Sequence, residues 1–398
     1  MLQFGLKTLS FTLAAVLLGS SANIPLTSKA NAASSPSSAT VSVDASVSQG
    51  ELYRSEQHFN ISKHFTYGDQ RKADVQFMND QGLHNKIFRT WVDHDIYDLA
   101  TDTYNFSNYD VYFSDTSNMA DALLVNIKAE KVIPELQSPD KVKPIVKNII
   151  KHLKQNHPKI KYIEALNEPD DPHSNRYKGL VTPDTVYSYY KAFSDAVYEV
   201  NAELNPEVPL QVGGPSIMRL DMDWIGKFLD GYKNDPSPMN KLDFISYHGY
   251  FVGPNFTGFV KEDPSMVDNQ RSQINAALSS RGLSIDIPSF ITETGIYPGP
   301  LTDVPNVSGG VQPDQLRQAA GLASLHYWYI NNSKNYAFQW ELRHPDNARK
   351  DALVSRDPYN VKLSDIPSDK FTPYGNNGHA VKDESDQSIG YLGQHHKR

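Results

Sequence analysis

Two glutamates far apart in the chain share one local setting. Glu168 follows the apolar run Lys161-Tyr-Ile-Glu-Ala-Leu166 within Asn167-Glu168-Pro169, and Glu293 follows Ile287-Pro-Ser-Phe-Ile-Thr292. Each run has the length and composition of a buried strand, so each carboxyl group is expected at a strand's carboxyl end. Two carboxylates delivered to one place by different strands can divide the work of breaking a glycosidic bond. One gives a proton to the leaving oxygen, and the other attacks or stabilises the anomeric carbon. A glutamate at a strand end is common, and for Glu168 alone a strand-end salt bridge is the plainer reading. The pair and its order carry the inference.

The elements that must position this pair alternate along the chain. Short apolar runs at Gln57–Ser62, Lys86–Val92, Val132–Leu136, Tyr162–Leu166, Leu210–Gly213, Asp243–Tyr247, Ser289–Thr292 and Tyr336–Trp340 read as strands. Amphipathic stretches at Asp69–Asp80, Asn118–Ala129, Val142–Gln155, Pro183–Leu204, Met222–Tyr232, Asp268–Ser280 and Pro313–Ile330 read as helices. This alternation predicts an α/β fold, a (β/α)8 TIM barrel spanning 51–345. An open doubly wound sheet is the alternative, but no Gly-x-Gly-x-x-Gly or Walker-type loop supplies its usual reason. In a barrel, chemistry sits beyond the strands' carboxyl ends, where both glutamates and the Gly/Pro-rich stretch after Ile296 fall.

The rest of the chain narrows the function classes. Lys7, the brief apolar run Leu9–Leu18 and Ala30-Asn31-Ala32 have the form of a signal peptide over 1–32, so a secreted or periplasmic location is expected. Residues 33–50 read as a Ser/Ala-rich linker with an extra strand at Thr40–Val47, and 346–398 as a C-terminal extension with an aperiodic, disordered end. No later run is long and apolar enough to span a bilayer, so no membrane insertion is expected after signal removal. A formal net charge of −8 argues against nucleic acid as partner. With no cysteine, disulfides, thiolate nucleophiles and Cys-ligated metals are excluded. Asp93-His94-Asp95 has ligand-type side chains, but neighbours on one loop rarely converge without a further ligand, so neither metal nor cofactor is expected.

Several segments, taken in order, resemble clan A glycoside hydrolases, most of all glycoside hydrolase family 39 and its bacterial exopolysaccharide-processing relatives. Ile87-Phe-Arg-Thr-Trp91 resembles the second strand with its active-site arginine, and Tyr104-Asn-Phe-Ser-Asn-Tyr-Asp110 the loop before helix two. Asn167-Glu168-Pro169 matches the acid/base signature of strand four. Val212-Gly-Gly-Pro-Ser216, His248-Gly-Tyr250 and Ile291-Thr-Glu293 resemble strands five, six and seven. The chain departs from the family at Trp91, where His is common, and at Thr294-Gly295, where an aromatic residue often follows the nucleophile. It also ends too early for the usual β-sandwich, so little or no accessory sandwich is expected.

The resemblance implies a retaining mechanism with Glu168 as general acid and then base, and Glu293 as nucleophile. The acid role calls for a raised pKa, and the nucleophile for a cation within reach, for which Arg89 is the candidate. Asn167 is placed to donate to a sugar 2-hydroxyl, and His248 and Tyr250, two apart on one strand face, to hold sugar or nucleophile. Trp340 is the candidate stacking platform. Glu164, four residues before Glu168, reads as a structural partner for an arginine. Trp91, Tyr97, Tyr104 and Trp340 are expected around one groove for a carbohydrate chain. Two other readings stay open: a carbohydrate-binding barrel without turnover, and a transglycosylase with the same site.

Overall fold

In the computed structural model the described residues are 58–61, 85–172, 176–251, 265–296, 322–330, 334–340, 354–355 and 380–381. The expected signal, linker, extra strand, Asp69–Asp80 helix, Tyr297–Gln312 loop and most of the C-terminal extension lie outside them. Eight parallel strands close into one barrel. They are β1 (His58–Asn60), β2 (Asn85–Val92), β3 (Ala120–Ile127), β4 (Ile160–Ala165), β5 (Gln211–Ile217), β6 (Phe244–Phe251), β7 (Ser289–Ile296) and β8 (Asn335–Gln339). Each strand pairs with its sequence neighbours, and β8 closes the ring on β1. The helices between them are α1 (Ser107–Ser117), α2 (Val132–Leu136), α3 (Pro139–Asn156), α4 (Val186–Leu204), α5 (Met222–Asn234) and α6 (Met266–Ser280), with a further helical stretch at 322–330. This is the expected (β/α)8 architecture. No helix among the described residues is long and apolar enough to cross a membrane.

Three elements differ from the expectation. Helix α1 begins inside the segment read as a loop and fills Ser107–Ser117, where no helix was expected. Asn118–Ala129 was expected to be helical, but its centre is strand β3, paired along its length with β2 and β4. An apolar run buried on both faces has no period that separates strand from helix. The expected strand Val132–Leu136 is the short helix α2, which buries Val132, Ile133 and Pro134 behind a left-handed turn at Ala129 (φ 51°).

The core has two compartments. Between strands and helices, outward residues such as Phe88, Val125, Ile163, Val212, Tyr247 and Ile291 meet the apolar faces of the helices. On α3 that face is Val142, Ile145, Val146, Ile149, Ile150 and Leu153, spaced for one side of a helix. Inside the barrel, Ile87, Leu124, Tyr162, Phe244, Phe290 and Phe338 form a separate apolar floor. Gly213 is required there, because a Cβ at that position would lie 2.3 Å from the Phe244 ring.

The floor determines what stands above it. Side chains two residues further along a strand point the same way, one layer higher. Ile87 is thus followed by Arg89 and Trp91, Leu124 by Asn126, Tyr162 by Glu164, and Phe244 by Ser246, His248 and Tyr250. Strict alternation from Phe290 would turn Glu293 outward. Instead Tyr247 pairs with Ile291 and His248 with Glu293, so β7 carries one extra residue there. This bulge brings Glu293 back to the interior, the re-aiming that bulges beside active sites provide. A similar shift between Pro215 and Ile217 on β5 frees Ser216 to face inward.

Candidate active site

Arg89 is the centre of the upper interior layer and is fully buried. Its Nε donates to Glu164 Oε2 at 2.7 Å, and Nη1 to Glu293 Oε1 at 2.8 Å and Asn60 Oδ1 at 3.1 Å. Its Nη2 donates to Asn167 Oδ1 at 3.0 Å and Ser216 Oγ at 3.3 Å. One guanidinium therefore ties together side chains from β1, β2, β4, β5 and β7. Such charge-assisted contacts are the strong class of hydrogen bond, and in this buried interior they fix the geometry of every partner. Glu164 plays the structural role expected of it. Asn126 adds a 2.8 Å hydrogen bond to the same Glu164 oxygen. Burial pushes the Glu164 carboxyl up, but the charges of Arg89 and His248 and the hydrogen bond from Asn126 outweigh it and hold its pKa down.

Because arginine can only donate, Asn167 must present its carbonyl oxygen to Arg89, which leaves its amide NH2 for another acceptor. The backbone around it is forced. Leu166 (φ 67°), Glu168 (φ 45°) and Ser216 (φ 54°) all occupy the left-handed region, at about 1–2 kcal/mol each. Two hydrogen bonds offset that strain: Glu168 N to Ser216 O at 2.8 Å, and Asn167 N to the Tyr177 hydroxyl at 2.9 Å. Buried Tyr177 also donates to Lys128 O, so it ties the end of β3 to the end of β4.

Glu168 and Glu293 meet across His248. One oxygen of each carboxylate and a ring nitrogen of His248 all lie within 4.8 Å of one another. His248 Nδ1 is 2.9 Å from Glu168 Oε1, and Nε2 is 3.6 Å from Glu293 Oε1. Burial favours a neutral ring, but Glu293 and Glu168 outweigh it and raise the His248 pKa. The Tyr250 hydroxyl donates to Glu293 Oε2 at 2.7 Å, so that carboxylate is held at both oxygens, by tyrosine and by Arg89.

The surroundings of Glu168 differ from the expectation of a raised pKa. Burial pushes the carboxyl up, but the His248 hydrogen bond and the charges of His248, Arg176 and Arg89 pull it down to about 2. Arg176, on the segment after β4, was not foreseen. Its Nη2 is 3.0 Å from Glu168 Oε2 and 3.7 Å from Asp171, and its Nη1 is 3.3 Å from Glu130. No periodicity or motif in the chain marks a loop arginine. Asn60, Asn126 and Ser216 were also missed as site residues, although strand alternation turns the two asparagines to the same inward side as Arg89, with Asn60 opposite Arg89 and Asn126 opposite Trp91.

Carboxylate and imidazole are ligand types for a divalent cation, but Arg89 and Arg176 already hold the carboxylates and supply positive charge there. Asp93 is paired with Lys128 at 3.0 Å, and Asp95 accepts from the Tyr109 hydroxyl. Two of the three residues in the Asp-His-Asp run are therefore committed elsewhere.

Trp91 extends the column above Arg89, whose guanidinium carbon lies 4.0 Å from its ring centroid, with Lys128 Nζ at 4.6 Å. Trp340 meets Trp91 edge-on at 5.8 Å and is half-buried at the barrel mouth. Tyr97 and Tyr104 do not join them. Tyr97 packs on Tyr104, which stacks on Phe106, which in turn lies on His152 of α3. The short strands Tyr97–Asp98 and Thr103–Tyr104 turn these rings towards the helical layer, where Asn148 hydrogen-bonds the Tyr104 hydroxyl.

No protein-family description and no curated protein matches this chain. Solved structures do. ZgEngAGH5_4 in complex with a cellotriose is 13% identical with a TM-score of 0.51, over 85% of this chain and 94% of that one. A GH5-4 broad specificity endoglucanase from Ruminococcus champanellensis with bound cellotriose is 14% identical with a TM-score of 0.50, over 71% and 80%. A bacterial orthologue of human α-L-iduronidase is 12% identical with a TM-score of 0.50, over 72% of this chain and only 49% of that one. At these identities the shared property is the TIM-barrel fold.

Proposed function

We propose that this chain is an exported retaining glycoside hydrolase that cleaves β-glycosidic bonds of a polysaccharide or oligosaccharide with Glu168 and Glu293. The observation that carries the reading is the approach of their oxygens to within 4.8 Å. Carboxyl groups about 5–5.5 Å apart suit direct attack and a glycosyl-enzyme intermediate, whereas about 6.5–9.5 Å leaves room for the water of an inverting enzyme. Glu293, held by Arg89 and Tyr250, attacks the anomeric carbon. Glu168 protonates the departing oxygen and later takes a proton from water. The amide of Asn167, with its oxygen committed to Arg89, is oriented to donate to the 2-hydroxyl. Trp340 offers a ring at the mouth for the apolar face of a sugar. Two neighbours with bound cellotriose favour an oligosaccharide in the same cleft. They support clan A in general rather than family 39 in particular. Export rests on the N-terminal pattern alone.

A specific observation favours a second reading, a carbohydrate-binding barrel without turnover: both Glu168 oxygens are engaged and its carboxyl is held ionised. One experiment separates the two. The protein lacking residues 1–32 is incubated with a panel of β-glucans, other β-glycans and aryl β-glycosides, and the first-formed anomer is read by proton NMR. Hydrolysis with a β-product formed first is expected. Glu293→Ala should abolish turnover of every substrate, and Glu168→Ala should spare the first step for activated aryl glycosides. Binding without cleavage supports the second reading. An α-product formed first refutes retention, and a dominant sugar-acceptor product identifies a transglycosylase.

A further inference from the structure

Neither oxygen of Glu168 is open to a leaving group. Oε1 is taken by His248 Nδ1 at 2.9 Å and Oε2 by Arg176 Nη2 at 3.0 Å. If Glu168 is the acid/base of the proposed hydrolase, on which this inference rests, one cap must yield when substrate arrives. The two caps are not equivalent. His248 is fully buried within β6, with Ser216, Glu293 and Arg89 around its other nitrogen. The Arg176 side chain is 27% exposed and sits on a loop. It is the cap that can leave.

We propose that Arg176 is a positioning residue that caps Glu168 in the substrate-free protein and surrenders Oε2 to the leaving-group oxygen by turning onto Glu130 and Asp171. The landing site already exists. Nη1 is 3.3 Å from Glu130 Oε1 and Nη2 is 3.7 Å from Asp171 Oδ2, so departure from Glu168 leaves the guanidinium paired. The motion is confined to the side chain, because the adjacent Tyr177 is buried and pins the backbone through Asn167 N and Lys128 O.

The cap also governs where the proton rests. Glu168 faces His248 from β6, Arg89 from β2, Arg176 from its own loop, Glu293 from β7 and Asp170 beside it. Below the raised pKa of His248 the ring is an imidazolium, and with Arg89 and Arg176 also beside Glu168 the proton along the His248–Glu168 hydrogen bond stays on the imidazole. Removing the Arg176 charge favours its transfer: the Nδ1–H bond breaks, an O–H bond forms on Glu168, and His248 becomes neutral. The acid form thus arises without a proton from solvent.

The test needs no turnover. In the substrate-free protein, the 13C signal of the Glu168 carboxyl and the 15N signals of the His248 ring are followed through pH. Each is assigned by its loss in Glu168→Gln or His248→Gln. Arg176→Met should move both the acid-side protonation of Glu168 and the alkaline-side proton loss from the pair upward by about one pH unit or more. Arg176→Lys should keep them near wild type. Unmoved midpoints in a folded Arg176→Met overturn the proposal. On a cleavable glycan, the alkaline limb of kcat/KM should rise by the same amount in Arg176→Met while KM falls. A raised KM with an unmoved limb would make Arg176 a substrate contact and also overturn it. If the NMR midpoints move but no variant cleaves any glycan, the cap stands and the hydrolase reading alone fails.

Discussion

Replacing Arg89 with methionine breaks two buried ion pairs at once, and the size of the effect follows from the contacts. The substitution keeps the volume of the side-chain stem but removes the charge paired with Glu164 at 2.7 Å and Glu293 at 2.8 Å. Both carboxylates lie inside the barrel, with side chains 0% and 9% exposed, so water does not replace the lost partner. Removing one partner from a buried pair costs about 3–5 kcal/mol. Two pairs share this guanidinium, which sets an expected loss at pH 7 at the upper end of that range, about 5 kcal/mol. For a domain of ordinary stability that is most of the folding free energy.

The loss should depend on pH, and the direction is determined. In the wild type the Glu164 carboxyl sits below its ordinary value of 4.5, so its stabilising contribution is present above that pH and fades as pH falls. Without Arg89, burial is no longer outweighed by that charge, and Glu164 is expected to bind its proton more tightly when folded than when unfolded. The variant therefore loses stability as pH rises. Both effects widen the gap between the two proteins from acid towards neutral pH. Urea unfolding followed by tryptophan fluorescence at pH 5 and pH 7 measures it, and Arg89→Met/Glu164→Gln should recover part of the loss. A deficit below about 1 kcal/mol at pH 7, or one that does not change with pH, would refute the buried-network reasoning.

Two further outcomes follow from the same contacts. Tyr250→Phe removes the 2.7 Å donor to Glu293 Oε2, a hydrogen bond to a charged group worth about 1.5–3 kcal/mol, so kcat should fall roughly ten- to a hundredfold with little change in KM; a changed KM at constant kcat would place Tyr250 on the substrate instead. Glu168, held at about 2 against an ordinary 4.5, contributes about 3 kcal/mol of stability above pH 4.5 that is lost as pH falls towards 2, so Glu168→Gln should flatten the acid side of the stability profile, and an unchanged slope in urea titrations between pH 5 and 3 would refute the ion-pair account.

The parts of this molecule legible in the chain are those set by local pattern. Ile87, Arg89 and Trp91 share one strand face, as do His248 and Tyr250, and a residue count alone puts each group on one side. The barrel itself followed from the alternation of elements, despite the exchange of helix and strand around Ala120–Leu136, where a doubly buried strand carries no period. What the chain does not display is the position of Glu293. From Phe290, alternation turns it away from the interior, and only the extra residue on β7 restores it, a feature that exists through pairing with β6. Arg176 was illegible for a related reason. Its role is set by where the segment after β4 returns, and that return is fixed by Tyr177 bonding across two strand ends.

The charges of the site point to how these features depend on one another. Arg89, Arg176 and the His248 ring, whose pKa is raised, face the carboxyl groups of Glu164, Glu168 and Glu293, three against three in a chain of contacts that runs from Glu164 through Arg89, Glu293, His248 and Glu168 to Arg176. The apolar floor beneath excludes water, so each pairing is strong and each vacancy would be expensive. A neutral sugar can enter without upsetting the balance, provided it takes over a hydrogen bond rather than a charge. Among the described residues nothing accepts from the Asn167 amide, which is left for that purpose, and Arg176 has other acids to turn to. The groups that cannot move, Arg89 and Glu164, hold the nucleophile side rigid, whereas the side that must change protonation state is the one bordered by a partly exposed arginine. Rigidity on one carboxylate and adjustability on the other is what a double displacement asks of its two glutamates, since only one of them exchanges a proton in each step.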